Sequence, residues 1–181
     1  MFISPHPFAK ASPVPDWQAA VRYGDIVQFR ALRDDGSLAD AMACLVLDAT
    51  QRPSGTRLLL APGQAGCGKR DRAFEIGVRA PSQLIEAGLA GPTTFLAGSR
   101  ISVAATHAGF VLAPANGSPI IGRLSGQAFE RMNAVRARIQ AEADIAAYYR
   151  DRTPAQRAED RRISETILAR IRQAEPAPHL A

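Results

Sequence analysis

The sequence predicts a mainly β fold of the α+β class, a small barrel followed by two C-terminal helices. Three observations carry this expectation. Residues 42–47 and 56–60 are short apolar runs joined by Thr50, Gln51, Arg52, Pro53, Ser54 and Gly55. That is the pattern of a hairpin whose strands are buried on both faces. On either side lie more short apolar or alternating segments broken by turn residues, which reads as barrel wall. From about Gln127 onward the apolar spacing changes to three and four residues, the helical period.

Taken in order, residues 1–21 read as an extended, proline-rich arm, with Asp16 capping a short helical turn and Trp17 covering a barrel end. The barrel is expected over 22–125. It opens with a strand in which Val27 and Phe29 alternate with Gln28 and Arg30, and a loop over 32–41 leads into the hairpin. Residues 61–72 read as a long, glycine-rich, basic loop, and 73–78 as a strand. A single helical turn over 82–87 is closed by Gly88. Strands follow at 92–96 and 100–104, then 110–112, a turn over 114–119 and a closing strand at 120–124. The helical region is expected over 126–175. In its first helix Phe129, Met132, Val135, Ile139 and Ala143 would pack on the barrel. The second starts with Thr153 as N-cap, Pro154 at the first helical position and Gln156 completing a capping box. Residues 176–181 read as a loose tail.

The 181 residues carry a net charge of +5, almost all of it from arginine, since Lys10 and Lys69 are the only lysines. Arginine grips phosphate bidentately, so a nucleic-acid partner is permitted. A codon preference for arginine accounts for the excess equally well. No apolar run reaches the ~20 residues of a membrane span, and no secretory signal is recognisable at the N-terminus. The expected setting is therefore cytoplasmic. Two cysteines, Cys44 and Cys67, form no disulfide framework and read as reduced thiols. No metal and no cofactor is expected.

Four stretches together resemble the PemK/MazF-like family of plasmid-maintenance toxins. Residues 23–29, with Gly24, Asp25, Ile26, Val27 and Phe29, look like its opening strand; 43–48 look like its central strand. Ala87, Gly88 and Leu89 followed by Pro92, Thr93 and Phe95, and then Gly122 with Leu124 before a helix, are similar to its later segments. The resemblance covers about residues 22–139. It implies an SH3-like barrel, usually a homodimer, that in active members cuts single-stranded RNA without a metal and is blocked by the extended tail of an antitoxin. It also exposes a departure. Active members carry an Arg-Pro pair before the central strand, and here Met42 and Ala43 occupy those places. Their threonine or serine at the end of the next strand falls within 60–64, where this chain has Leu60, Ala61, Pro62, Gly63 and Gln64. Methionine cannot stabilise charge on a phosphorane. Either the barrel is catalytically silent, or the chemistry has moved.

His107, Arg123 and Thr94 are the candidates for a relocated catalytic site, His107 as general acid or base. A histidine after a strand is also commonly structural. Arg30, Gln64, Lys69, Arg70 and Arg72 are candidates for RNA contact, with the 61–72 loop as a basic flap; a solvated loop is the alternative. The spacing from Gly63 to Lys69 also fits a phosphate-binding loop, but Arg70 stands where serine or threonine would hold magnesium, and a strand follows instead of a helix. On the second helix, Ile163, Ile167 and Ile171 form a stripe that either packs on the first helix or meets a protein partner. The arginines around it leave nucleic-acid contact as a third reading, although Glu159, Asp160 and Glu165 dilute the charge.

Overall fold

A computed structural model describes residues 16–32, 36–68 and 72–174. The chain divides into two compact units, Met1–Arg136 and Ala137–Ala181. The predicted arm before Asp16 and the predicted tail lie outside the described residues.

The expected hairpin is the backbone of the first unit. Strands β2 (Met42–Arg52) and β3 (Gly55–Ala65) are eleven residues each, longer than the apolar runs that announced them. The turn between them shrinks to Pro53 and Ser54, and Gly55 adopts φ +105°, a conformation that only glycine takes up readily. Residues 61–65 belong to β3 and not to a loop. The other strands are β1 (Asp25–Phe29), β4 (Glu75–Val78), β5 (Thr93–Leu96), β6 (Ile101–Ala104) and β7 (Ile120–Arg123). All pair antiparallel in the order β4-β5-β3-β2-β1-β7, with β6 also on β3. One edge of β3 thus serves two neighbours in turn: β6 from Arg57 to Leu60, then β5 from Gly63 to Ala65. This switch, and a bulge where Leu47 is extra on β2, curl the sheet into a half-barrel. Residues 110–112 form no strand; Phe110 makes a single bridge to Phe29.

Cys44, Leu45, Val46 and Leu47 are all buried, so both faces of β2 are covered. Inside the curl, Val27, Phe29, Cys44, Val46, Leu58 and Leu60 cluster with Phe110 and Trp17. Trp17, on the short helix α1 (Trp17–Ala20) capped by Asp16, tilts against Phe110 with ring centroids 4.9 Å apart. Burial of each large aliphatic side chain here contributes about 1.5–3 kcal/mol. On the opposite face Ile26, Leu45 and Leu47 are buried as well, as are Ala128, Met132 and Val135 at the start of helix α3 (Gly126–Asp151). Tyr23 stacks on Phe129, and Arg136 lies over the Tyr23 ring while pairing with Asp48. Helix α2 (Pro81–Glu86) ends as predicted at Gly88, which has φ +64°.

In the second unit the capping box of α4 (Pro154–Ala174) forms in full: Thr153 N–H donates to Gln156 Oε1 and Gln156 N–H to Thr153 Oγ1. Tyr148 and Asp160 are hydrogen-bonded and Arg152 pairs with Asp160, so α3 and α4 meet through polar groups. The predicted apolar face of α3 stops being buried after Val135: Ile139 is half-buried and Ala143 exposed. None of residues 137–171 is buried. Ile163, Ile167 and Ile171 are each about half exposed and do not bury themselves on α3.

Candidate functional site

The switch of β3 from β6 to β5 leaves two clefts flanking the end of β3. The first, of about 470 Å³, is lined by Gln64, Cys67, Arg72, Glu75, Thr94 and Leu96 with the backbone of residues 65, 66 and 68. Gln64 and Thr94 are direct cross-strand partners, so their side chains share a face. Thr94 Oγ1 donates to the Gly66 carbonyl at 2.9 Å and lies 3.3 Å from Cys67 Sγ. The Cys67 thiol donates to the Thr93 carbonyl at 2.9 Å. The chain leaving β3 is therefore tied across the ends of β4 and β5. On the far wall Glu75 Oε2 accepts from the Arg72 N–H at 3.1 Å. Arg72 is exposed. The cleft thus offers an exposed cation, a side-chain amide and several backbone dipoles.

The second cleft, of about 310 Å³, lies between Gln28, Ala43, Leu89, Pro92 and Ile121, with Gly88 and Gly91 in its wall. None of its described lining residues is charged. It holds Ala43, one of the places where the resemblance puts the Arg-Pro pair. The neighbouring Met42 packs against the barrel core. A cleft with no titratable group can neither move a proton nor neutralise a developing phosphorane.

No model of a known protein family matches the chain, and no curated protein matches it either.

Of the residues singled out from sequence, Gln64, Arg72 and Thr94 come together in the first cleft. Lys69 and Arg70 lie outside the described residues. Arg30 is exposed at the end of β1. His107 and Arg123 are elsewhere and apart from each other. His107 Nδ1 accepts the Gly109 N–H at 2.9 Å, and its ring tilts against Phe29, so one nitrogen is already used to shape the turn before Phe110. Arg123 pairs with the buried Asp25 at 3.0 Å and also donates to the Tyr23 carbonyl. Asp25 and Phe29 are the two ends of β1, four residues or about 13 Å apart. The three catalytic candidates therefore do not share a site. Cys67 and Glu75 line the first cleft without having been expected there: Cys67 meets Thr94, and Glu75 stands opposite Leu96, only once distant strands have paired, for which the sequence carries no local signal.

Proposed function

We propose that the chain is a PemK/MazF-like barrel that binds single-stranded RNA in the first cleft and lacks the family's own means of cutting it. The observation that carries this reading is the convergence of Gln64, Arg72 and Thr94 on one open, polar cleft. Arg72 suits a phosphate, and the Gln64 amide with the adjoining backbone suits the edge of an unstacked base. Among the described residues the cleft has no aromatic side chain for stacking, so affinity would be mainly electrostatic and salt-dependent. Cleavage by the family's route is not supported, because Met42 is apolar and packed on the core. The expected result is that Arg72→Ala weakens binding of a mixed-sequence single-stranded RNA about three- to tenfold and lowers the salt slope by about 0.7. Affinity and slope both unchanged would remove the cleft from consideration. In EDTA the same RNA is expected to stay intact.

A second reading has its own support. Residues 137–171 contain no buried side chain, while Ile145, Ile163, Ile167, Leu168 and Ile171 are each about half exposed. Helices of this length draw most of their stability from packing an apolar face. A barrel without catalysis that assembles through these helices, as a homo-oligomer or on an antitoxin-like protein, would supply that packing. Ile163→Asp and Ile167→Asp are then expected to lower the mass measured by light scattering, while the barrel's unfolding midpoint stays put. On an exposed helix face with no partner each change is worth only about 0.5 kcal/mol, and an unaltered mass would end this reading.

A further inference from the structure

One side chain of α3 reaches the wall of the first cleft. Arg131 donates from Nε to the Glu75 carbonyl at 3.1 Å and from Nη2 to the Arg72 and Ala73 carbonyls at 2.5 and 3.0 Å. These carbonyls belong to the turn that closes with Glu75 N–H on the Arg72 carbonyl at 3.1 Å. Arg72 and Ala73 are exposed, so apolar burial does not hold the turn in place. A planar guanidinium with five N–H donors can serve three carbonyls at once; an ammonium has no such fork. The other lip of the cleft is tied in a similar way, with Arg79 Nε donating to the Gly68 carbonyl at 2.9 Å.

We infer that Arg131 is a positioning residue of the cleft: it fixes the 72–75 turn so that Arg72 and Glu75 form a wall facing Gln64 and Thr94. For its ligand this rests on the RNA reading above; the clamp itself does not. Cys67 gives a readout free of RNA, because its sulfur lies in the cleft, half-buried, whereas Cys44 is wholly buried.

The test compares the wild type with Arg131→Lys, Arg131→Met, Arg72→Ala and the Arg72→Ala/Arg131→Lys double variant. Both Arg131 variants keep an unbranched stem and are expected to fold. Each should raise the rate at which a disulfide reagent modifies Cys67 several-fold, with Cys44 still protected; an unchanged Cys67 rate in both overturns the clamp. With single-stranded RNA, Arg131→Lys should weaken binding about threefold in the wild-type background, no more than Arg72→Ala does, and have no further effect in the Arg72→Ala background, the coupling expected of residues acting as one unit. Equal losses in the two backgrounds would overturn action through Arg72. If wild type and Arg72→Ala bind RNA alike, the RNA reading fails, and the Cys67 rates still decide whether the clamp exists.

Discussion

Gly122→Ala is expected to destabilise the barrel by about 3 kcal/mol or more, a large share of the 5–15 kcal/mol that holds a typical domain together. A Cβ at Gly122 would sit 2.2 Å from the Ala87 carbonyl carbon and 2.5 Å from the Ala87 and Glu86 carbonyl oxygens. The contact is mutual: a Cβ at Gly88 would stand 2.1 Å from the Ile121 carbonyl oxygen. Here the end of α2 and strand β7 cross backbone to backbone. No side chain can rotate away, so α2 or β7 must move. Moving β7 breaks its pairing with β1, where Ile26 faces Gly122. It also deforms the uncharged cleft, because Gly88 and Ile121 both line it. Gly91 is the matched control from the same cleft. A Cβ there would meet no atom within 4 Å, and its φ is not left-handed, so Gly91→Ala should change stability by no more than about 0.5 kcal/mol. Urea midpoints compare the two. Coincident curves for Gly122→Ala and wild type would mean that the crossing is looser than these distances.

What was legible in the sequence was what is local. Thr153, Pro154 and Gln156 announce a helix start because the cap is made by residues three apart. Gly88 announces a helix end because the left-handed turn is its own. The apolar run from Cys44 to Leu47 announces a strand buried on both faces because it is short, contains a β-branched residue and is followed by a turn signal at Pro53, Ser54 and Gly55. The end of β3 was not legible, since Pro62 and Gly63 signal a turn in isolation. The fold tolerates both for reasons that lie elsewhere in the chain. Pro62 falls between the last pair with β6 and the first with β5, where a missing N–H costs little. Gly63 is required because a Cβ there would come within 2.6 Å of the Ala43 carbonyl oxygen. The first cleft shares this dependence on distant pairing. Gln64 and Thr94 are thirty residues apart and become neighbours only through register. Arg131 is further still from the turn it holds, and on its own helix it looks like any other arginine. His107 and Arg123 drew attention as chemically capable residues, and their capability is spent on a turn and on Asp25.

Between pH 9 and 12 the fold is expected to lose about 4 kcal/mol through Cys44 alone. Burial raises the Cys44 thiol from 9.0 to about 12, and the hydrogen bond from the Gly63 backbone to the sulfur offsets part of this. The direction follows from the thiolate. Below pH 9 the thiol is neutral in both folded and unfolded chains, and the full stability is present. Above pH 9 the unfolded chain releases the proton while the folded chain retains it, so each pH unit costs the fold about 1.4 kcal/mol until the folded thiol ionises near 12. Cys44→Ala should be the less stable protein at pH 7, where it has lost the packing of a buried sulfur. Its deficit should shrink above pH 9 and then reverse, because alanine has no proton to lose. Parallel stability curves for the two proteins across that range would show that Cys44 does not titrate as a buried thiol. The reversal would also bear on chemistry at the centre of the sheet. Cys44 lies beside Met42 and Ala43, the places where the resemblance puts a catalytic pair, and a thiol that resists ionisation to about pH 12 cannot serve there as a nucleophile near neutrality. Thiol reactivity of the folded chain would then belong to Cys67, at the polar cleft, and rate measurements there report on that cleft alone.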